Sequence, residues 1–239
     1  MGLNGNDCSV VQIGQARAIP GKIWLLTKDG TVIVTDSQKS GLKWKKRLGC
    51  WILFVFFVIF VLFYCFTGPR NLALYPPADQ SQYRLPWPKG KTYFCVQGNR
   101  WPFTHRGWQE FAYDFDMPSG SDVCAARSGT VNKVIVENDG NGRYASNNLV
   151  NIRHNDETFA WYLHLKQGGS YVRVGDRVEQ GQRIAASGNV GHSQEPHLHF
   201  HVTDREGKLL RVTFADVTGD AGIPRMFKWY TSGNSLPHK

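Results

Sequence analysis

Charge is absent from one long stretch of this chain, and closely spaced cysteines are absent from all of it. From Leu48 to Pro69 there are 22 residues without Asp, Glu, Lys or Arg. A helix rises about 1.5 Å per residue, so about 20 apolar residues cross a hydrocarbon layer of about 30 Å. The stretch is therefore expected to be a transmembrane helix over 48–69. The alternatives are a buried soluble helix, which would usually contain some polar positions, and a cleaved signal peptide, which would lie nearer the N-terminus with a shorter apolar core; both are disfavoured. Five cysteines are present and none forms a Cys-x-x-Cys pair, which argues against a cysteine zinc knuckle. Cys8 precedes the span, Cys50 and Cys65 fall within it, and Cys95 and Cys124 follow it. An oxidising compartment permits a Cys95–Cys124 bridge, but nothing local sets their distance. There is no His-Glu-x-x-His motif, hence no helix-borne glutamate base of that kind. No basic stripe with interleaved aromatics and no nucleic-acid motif is found.

Basic residues cluster just before the span, at Lys43, Lys45, Lys46 and Arg47, whereas Arg70 alone follows it closely. The positive-inside rule then puts the N-terminus in the cytoplasm and the larger C-terminal part outside. The net charge of +9 owes part to that cluster, which anionic headgroups satisfy. Residues 1–47 read as a short cytoplasmic arm with a β-hairpin around Lys28-Asp29-Gly30. Residues 70–91 read as a tether, since Pro76, Pro77, Pro86 and Pro88 interrupt any regular element.

Beyond residue 92 the pattern changes to short β runs separated by Gly, Asn and Asp turns, with no long amphipathic helix up to residue 210. This predicts an all-β exported domain, an antiparallel sheet or barrel-like fold, preceded by the one transmembrane helix. The Gly-punctuated stretch Val174–Ile184 is similar to the small β units of lipoyl- and biotinyl-type domains. No carrier lysine sits at a hairpin tip, so a swinging arm is disfavoured. Residues 205–239 read as an irregular C-terminal extension.

The most informative run is Pro196-His197-Leu198-His199-Phe200. A strand alternates its faces with period 2, so His197, His199 and His201 share one face and Leu198, Phe200 and Val202 the other. Imidazole is both a common metal ligand and the usual acid–base group near neutral pH. Three further segments carry polar groups: Thr104-His105-Arg106-Gly107 with Asp114 nine residues after the histidine, Trp161-Tyr162-Leu163-His164-Leu165, and the turn-forming Ser187-Gly188-Asn189-Val190-Gly191. Alternation sets Trp161, Leu163 and Leu165 apart from Tyr162 and His164. Trp101, Trp108, Trp161 and Tyr162 either line a groove or pack at its rim, and Tyr113 is expected to be buried. His154, His192, His201 and His238 read as structural or surface histidines.

The ordered set His…Asp, Tyr-x-His-Leu and His-Leu-His-Phe, with the spacers Ala125–Val131, Asn148–His154 and Gly175–Gln182, resembles the lysostaphin/LytM-type zinc endopeptidases of bacterial peptidoglycan. The resemblance covers roughly Tyr93 to Val202. It implies a zinc peptidase domain over 92–204 binding one zinc ion through His105, Asp114 and His199. It implies hydrolysis of wall peptides by a zinc-bound water, with His164 and His197 catalytic and their roles undivided. Many members space the first two ligands as His-x-x-x-Asp; the longer interval here matches a branch with an Ala-x-Asp-Phe-x-Met-Pro context, which selects Asp114 over Asp116. A histidine base implies activity that falls below about pH 6–7. Together with the span, the resemblance implies a single-pass protein of the bacterial inner membrane, its domain facing the wall and its partners being peptidoglycan cross-links and the bilayer around residues 48–69. The alternatives are a non-catalytic regulator that activates cell-wall amidases, which would lack one or more of the five residues, and a binding module built on the lipoyl-like unit.

Overall fold

A computed structural model describes the backbone at residues 22–26, 32–66, 71–100 and 104–236, and side chains at 48–62, 71–100 and 104–236. The chain divides into two compact units, 1–62 and 63–239.

In the first unit, strands β1 (Lys22–Leu26) and β2 (Val32–Asp36) pair antiparallel, with Trp24 opposite Val34. This is the hairpin expected around Lys28-Asp29-Gly30. Helix α1 (Ser37–Phe66) follows directly. It starts eleven residues before the expected span, because Gln, Lys, Arg and Leu are good helix formers and no proline interrupts 37–47. Its described side chains at 51–57 are all exposed and apolar. Among the described residues no helix is long and apolar enough to cross a membrane. Residues 67–69 of the expected span lie outside the described residues.

The second unit contains strands β3 (Thr92–Gln97), β4 (Tyr113–Asp116), β5 (Asp122–Cys124), β6 (Gly129–Ile135), β7 (Leu149–Arg153), β8 (Phe159–Leu163), β9 (Leu165–Ser170), β10 (Arg177–Val178), β11 (Arg183–Ser187), β12 (His197–Thr203) and β13 (Lys228–Thr231). Eight of them form a sheet in the order β10-β6-β7-β8-β12-β4-β3-β13, and three form a second sheet, β5-β11-β9. All pairings between these strands are antiparallel. One apolar core joins both sheets, with Val123, Leu165 and Ile184 from the smaller and Phe115, Ile152, Tyr162, Leu198 and Phe200 from the larger. The expected all-β domain is thus a pair of antiparallel sheets around one core. Burying a large apolar side chain contributes about 1.5–3 kcal/mol, so the inward row Leu198, Phe200 and Val202 anchors β12 firmly.

The stretch expected to be a tether is built into this domain. Leu85 and Trp87 are fully buried, Arg84 N–H donates to Ala126 O at 2.9 Å, and Trp87 Nε1 donates to Lys91 O at 2.9 Å. The prolines do prevent a regular element, but the apolar residues between them still enter the core. The expected irregular extension is also integral. Phe214 and Ile223 are buried, and β13 pairs with β3. Ser232 Oγ donates to Trp87 O at 2.7 Å and Asn234 Nδ2 donates to Leu85 O at 3.0 Å, so the two flanking segments fasten to one another. Cys95 and Cys124 are both buried and free, so the bridge left open by the sequence is not formed.

Candidate metal centre

Strands β4 and β12 lie side by side in the middle of the large sheet, with Asp114 directly opposite His199. Tyr113 and Phe115 on one side of β4, and Leu198 and Phe200 on one side of β12, are buried in the core. Alternation therefore sends Asp114 and His199 to the opposite face together. His105 arrives from the loop after β3, where its Nδ1 hydrogen-bonds Gly98 O at 3.0 Å. The long His105–Asp114 interval is taken up by the 3-10 turn Gly107–Gln109, which returns the chain to the sheet.

One ligand atom from each of His105, Asp114 and His199 falls within 4.8 Å of the other two, and all three residues are buried. His199 Nδ1 is 2.7 Å from Asp114 Oδ1. His105 Nε2 is 3.1 Å from Asp114 Oδ2 but has no hydrogen-bond partner. With Nδ1 donating to Gly98 O, that Nε2 carries a lone pair aimed at a carboxylate, an arrangement that a cation between them satisfies. Asp116, the rejected alternative, is exposed at the end of β4.

The charges agree with this fit. Burial disfavours the charged form of Asp114, yet His105 and His199 together hold its carboxyl well below the usual range. Burial disfavours the imidazolium of His105 as well, but the adjacent carboxylate outweighs it and raises that pKa. His199 is shifted down, chiefly by burial. Two imidazole nitrogens and a carboxylate oxygen are a donor set suited to zinc, and three protein ligands leave a fourth position open.

Two residues outside the expected set hold these ligands in place. Gln97 Nε2 donates to Asp114 Oδ2 at 2.7 Å, and Gln97 Oε1 accepts from Thr104 Oγ1 at 2.6 Å. A register shift between Cys95 and Gln97 disrupts the β3–β4 ladder here, so no strand alternation read from sequence could assign Gln97 to the site. The other is His201, read from sequence as structural or surface. Its Nδ1 lies 3.1 Å from His199 Nε2, and its ring stacks on Trp161 at 5.9 Å and 19°. Its position on the His197/His199 face was the available signal.

His164 and His197 are brought together beside this group, ring centroids 4.5 Å apart, with His164 5.8 Å from His199. His164 Nδ1 hydrogen-bonds Val190 O at 2.9 Å and His197 Nδ1 hydrogen-bonds Glu195 O at 2.8 Å. Donation to these carbonyls fixes the tautomers and leaves both Nε2 atoms as acceptors. The expected alternation fails around His164. Tyr162 is buried, its hydroxyl accepting from Ala126 N–H at 2.8 Å, and does not share the face of His164. His164 sits between β8 and β9 at φ 63, a left-handed conformation that throws its ring out of the strand pattern. The turn that bounds it needs glycine: a Cβ on Gly188 would lie 2.5 Å from Lys166 N, and Gly191 has φ +95. Burial, aided by His197 and His199, pushes His164 down to about 3. That shift favours its neutral form.

Of the other histidines, His154 is buried on Ser128 O and His192 is exposed. His238 and Trp101 lie outside the described residues. Trp108 is exposed, and Trp161 borders the site through His201.

Residues 109–211 match the family model for Peptidase family M23. The match includes Asp114, His164, His197 and His199 and begins after His105. An uncharacterized metalloprotease of Haemophilus influenzae is 36% identical over 145 residues, covering 60% of this chain and 27% of its own length. The peptidoglycan DD-endopeptidase ShyA of Vibrio cholerae is 34% identical over 124 residues, covering 52% of this chain and 27% of its own. A solved zinc-containing peptidase from Vibrio cholerae is 31% identical with a TM-score of 0.43, covering 55% of this chain and 39% of that one. The chain thus spans about a quarter of the length of these curated relatives. Residues 109–211, which hold four of the five site residues, are thus similar to Peptidase family M23, and lysostaphin is among the relatives that match.

Proposed function

We propose that this protein is a membrane-anchored zinc endopeptidase that hydrolyses peptide bonds in peptidoglycan cross-links. The observation that carries the reading is the group His105, Asp114 and His199 with the acceptor nitrogens of His164 and His197 beside it. The relatives that act on the bacterial wall, among them ShyA and lysostaphin, support the same reaction class.

His105 and His199 would hold the ion through Nε2 and Nδ1, with Asp114 supplying the oxygen. When bound, zinc supplies Lewis-acid polarisation and lowers the pKa of a water molecule toward about 7. The protein's own part is proton handling. His164 and His197 each present an unprotonated Nε2, held by a backbone carbonyl at the other nitrogen. Either accepts a proton during attack on the scissile carbonyl, and the resulting N–H then donates to the oxyanion or to the leaving amine. Gln97 and His201 keep Asp114 and His199 oriented.

The membrane anchor rests on the uncharged run over 48–69 and the basic residues before it. A bacterial inner-membrane location with the catalytic unit outside follows from the same features. The regulator alternative predicts a missing ligand or catalytic residue, and none of the five is missing.

The full chain is expected to bind about one zinc per molecule and to digest purified peptidoglycan until a chelator is added. H199A loses metal and activity together, whereas H197A keeps the metal and loses turnover. A wild-type chain that neither binds zinc nor cuts, yet stimulates an amidase, overturns the reading in favour of the regulator.

A further inference from the structure

The sheet face that carries the metal centre continues, strand by strand, into an exposed aromatic surface. Trp229 on β13 is opposite Phe94 on β3, Phe94 is opposite Asp116 on β4, and Asp116 is opposite His197 on β12. Directly opposed residues of antiparallel strands point the same way, so these four make one row across four strands. Adjacent strands are about 4.8 Å apart, which puts Trp229 about 14 Å from His197 along the row. The Phe94 ring lies 5.1 Å from that of Trp229 and 6.4 Å from that of Phe227. Trp229 is 67% exposed and Phe227 47%, while Tyr230, the next residue along β13, is buried on the other side. Phe227 has φ 65, a conformation costly for a bulky residue.

We propose that this surface is a subsite for the amino-sugar backbone to which wall peptides are attached, with Trp229 and Phe94 stacking against a pyranose ring. The inference rests on the endopeptidase reading and extends it. Three observations select that occupant. The surface is continuous with His197, so whatever is cut there leads across it. An extended peptide covers at most about 3.3–3.6 Å per residue, so about four residues separate the reacting bond from Trp229, and the moiety arriving there is what the peptide hangs from. The surface is also small, three rings bordered by Asp116. A stable protein partner needs about 800 Å² on each side. A pyranose instead offers one face of C–H groups to an aromatic ring and a rim of hydroxyls to a carboxylate such as that of Asp116.

Binding of two wall fragments to the full chain tests this by calorimetry: an uncross-linked disaccharide–peptide, and the same peptide without sugar. The wild type is expected to bind the sugar-bearing fragment about five- to tenfold more tightly. W229A and W229L are both expected to lose that preference, while thermal unfolding checks that each is folded. Equal affinity of the two fragments for the wild type, or a preference that survives in both variants, overturns the proposal. So does a concentration-dependent self-association of the wild type that W229A abolishes, since the face would then pair two copies. Because binding is read without turnover, the two readings fail separately. A chain that prefers the sugar-bearing fragment through Trp229 yet cuts nothing overturns the endopeptidase, and one that cuts cross-links with no sugar preference overturns the subsite.

Discussion

His199 Nε2 lies 3.1 Å from His201 Nδ1, which leaves the other nitrogen of His199 free to face Asp114. With a metal on Nδ1, the N–H of Nε2 would donate to His201. Partners of this kind set the tautomer and ring orientation of a ligating histidine. Replacing His201 by Phe, which keeps the ring and its stacking on Trp161 but removes the acceptor, is expected to weaken zinc binding about 10- to 100-fold. Competition with a chromophoric chelator measures it. A metal affinity equal to wild type removes His201 from this role.

Gln97 does the same for the carboxylate. With its Nε2 donating to Asp114 Oδ2, Q97L leaves that oxygen without its donor and is expected to lower zinc affinity about tenfold or more. The conservative Q97N has a shorter reach and should fail to restore it. Metal content after dialysis against graded chelator reports the order of the variants.

His164 holds a left-handed backbone conformation that Asn tolerates better than His. H164N is therefore expected to unfold within about 1 kcal/mol of the wild type while losing turnover. Chemical denaturation and wall digestion, run side by side, separate fold from function at this position. Retained turnover would take His164 out of proton transfer.

His154 gives the domain a pH-dependent stability away from the metal. Burial pushes it down to about 4, with its Nδ1 on Ser128 O at 2.9 Å. Between about pH 6.5 and 4 the unfolded chain takes up a proton at this site that the folded domain refuses. Stability therefore falls as pH is lowered through that window, and this contribution levels off below about 4. The full drop is about 3 kcal/mol. H154N should flatten the stability profile across that range, and a profile as steep as wild type sinks the assignment.

F200A removes a fully buried ring from the back of the strand that carries His197 and His199. A loss of about 3–5 kcal/mol is expected. Urea titration of the full chain measures it; a loss below about 1 kcal/mol would show that β12 does not depend on this anchor.

The histidine strand is the part of the site most legible in the sequence. Period 2 alone separates Leu198, Phe200 and Val202, now in the core, from His197, His199 and His201 on the site face. The same rule misled at Tyr162 and His164, because one left-handed residue reverses the alternation and leaves no mark in composition. Gln97 was hidden by a register shift. Leu85 and Trp87 were hidden among prolines, and β13 by its pairing with a strand more than 130 residues away. Local pattern reports what a segment prefers, whereas these residues are placed by partners far along the chain.

That distant pairing sets the order in which the molecule can be completed. β3 supports β4, the strand of Asp114, yet its own outer neighbour β13 leaves the ribosome after every residue of the metal centre. Until Lys228–Thr231 emerge, β3 is an open edge, and the fastening of Ser232 and Asn234 to residues 85–87 cannot form. Pairings over such sequence distances close slowly. A nascent chain therefore holds all five histidine and aspartate groups before it holds the sheet that aligns them, so maturation of the centre is timed by synthesis of a segment that contributes none of its chemistry.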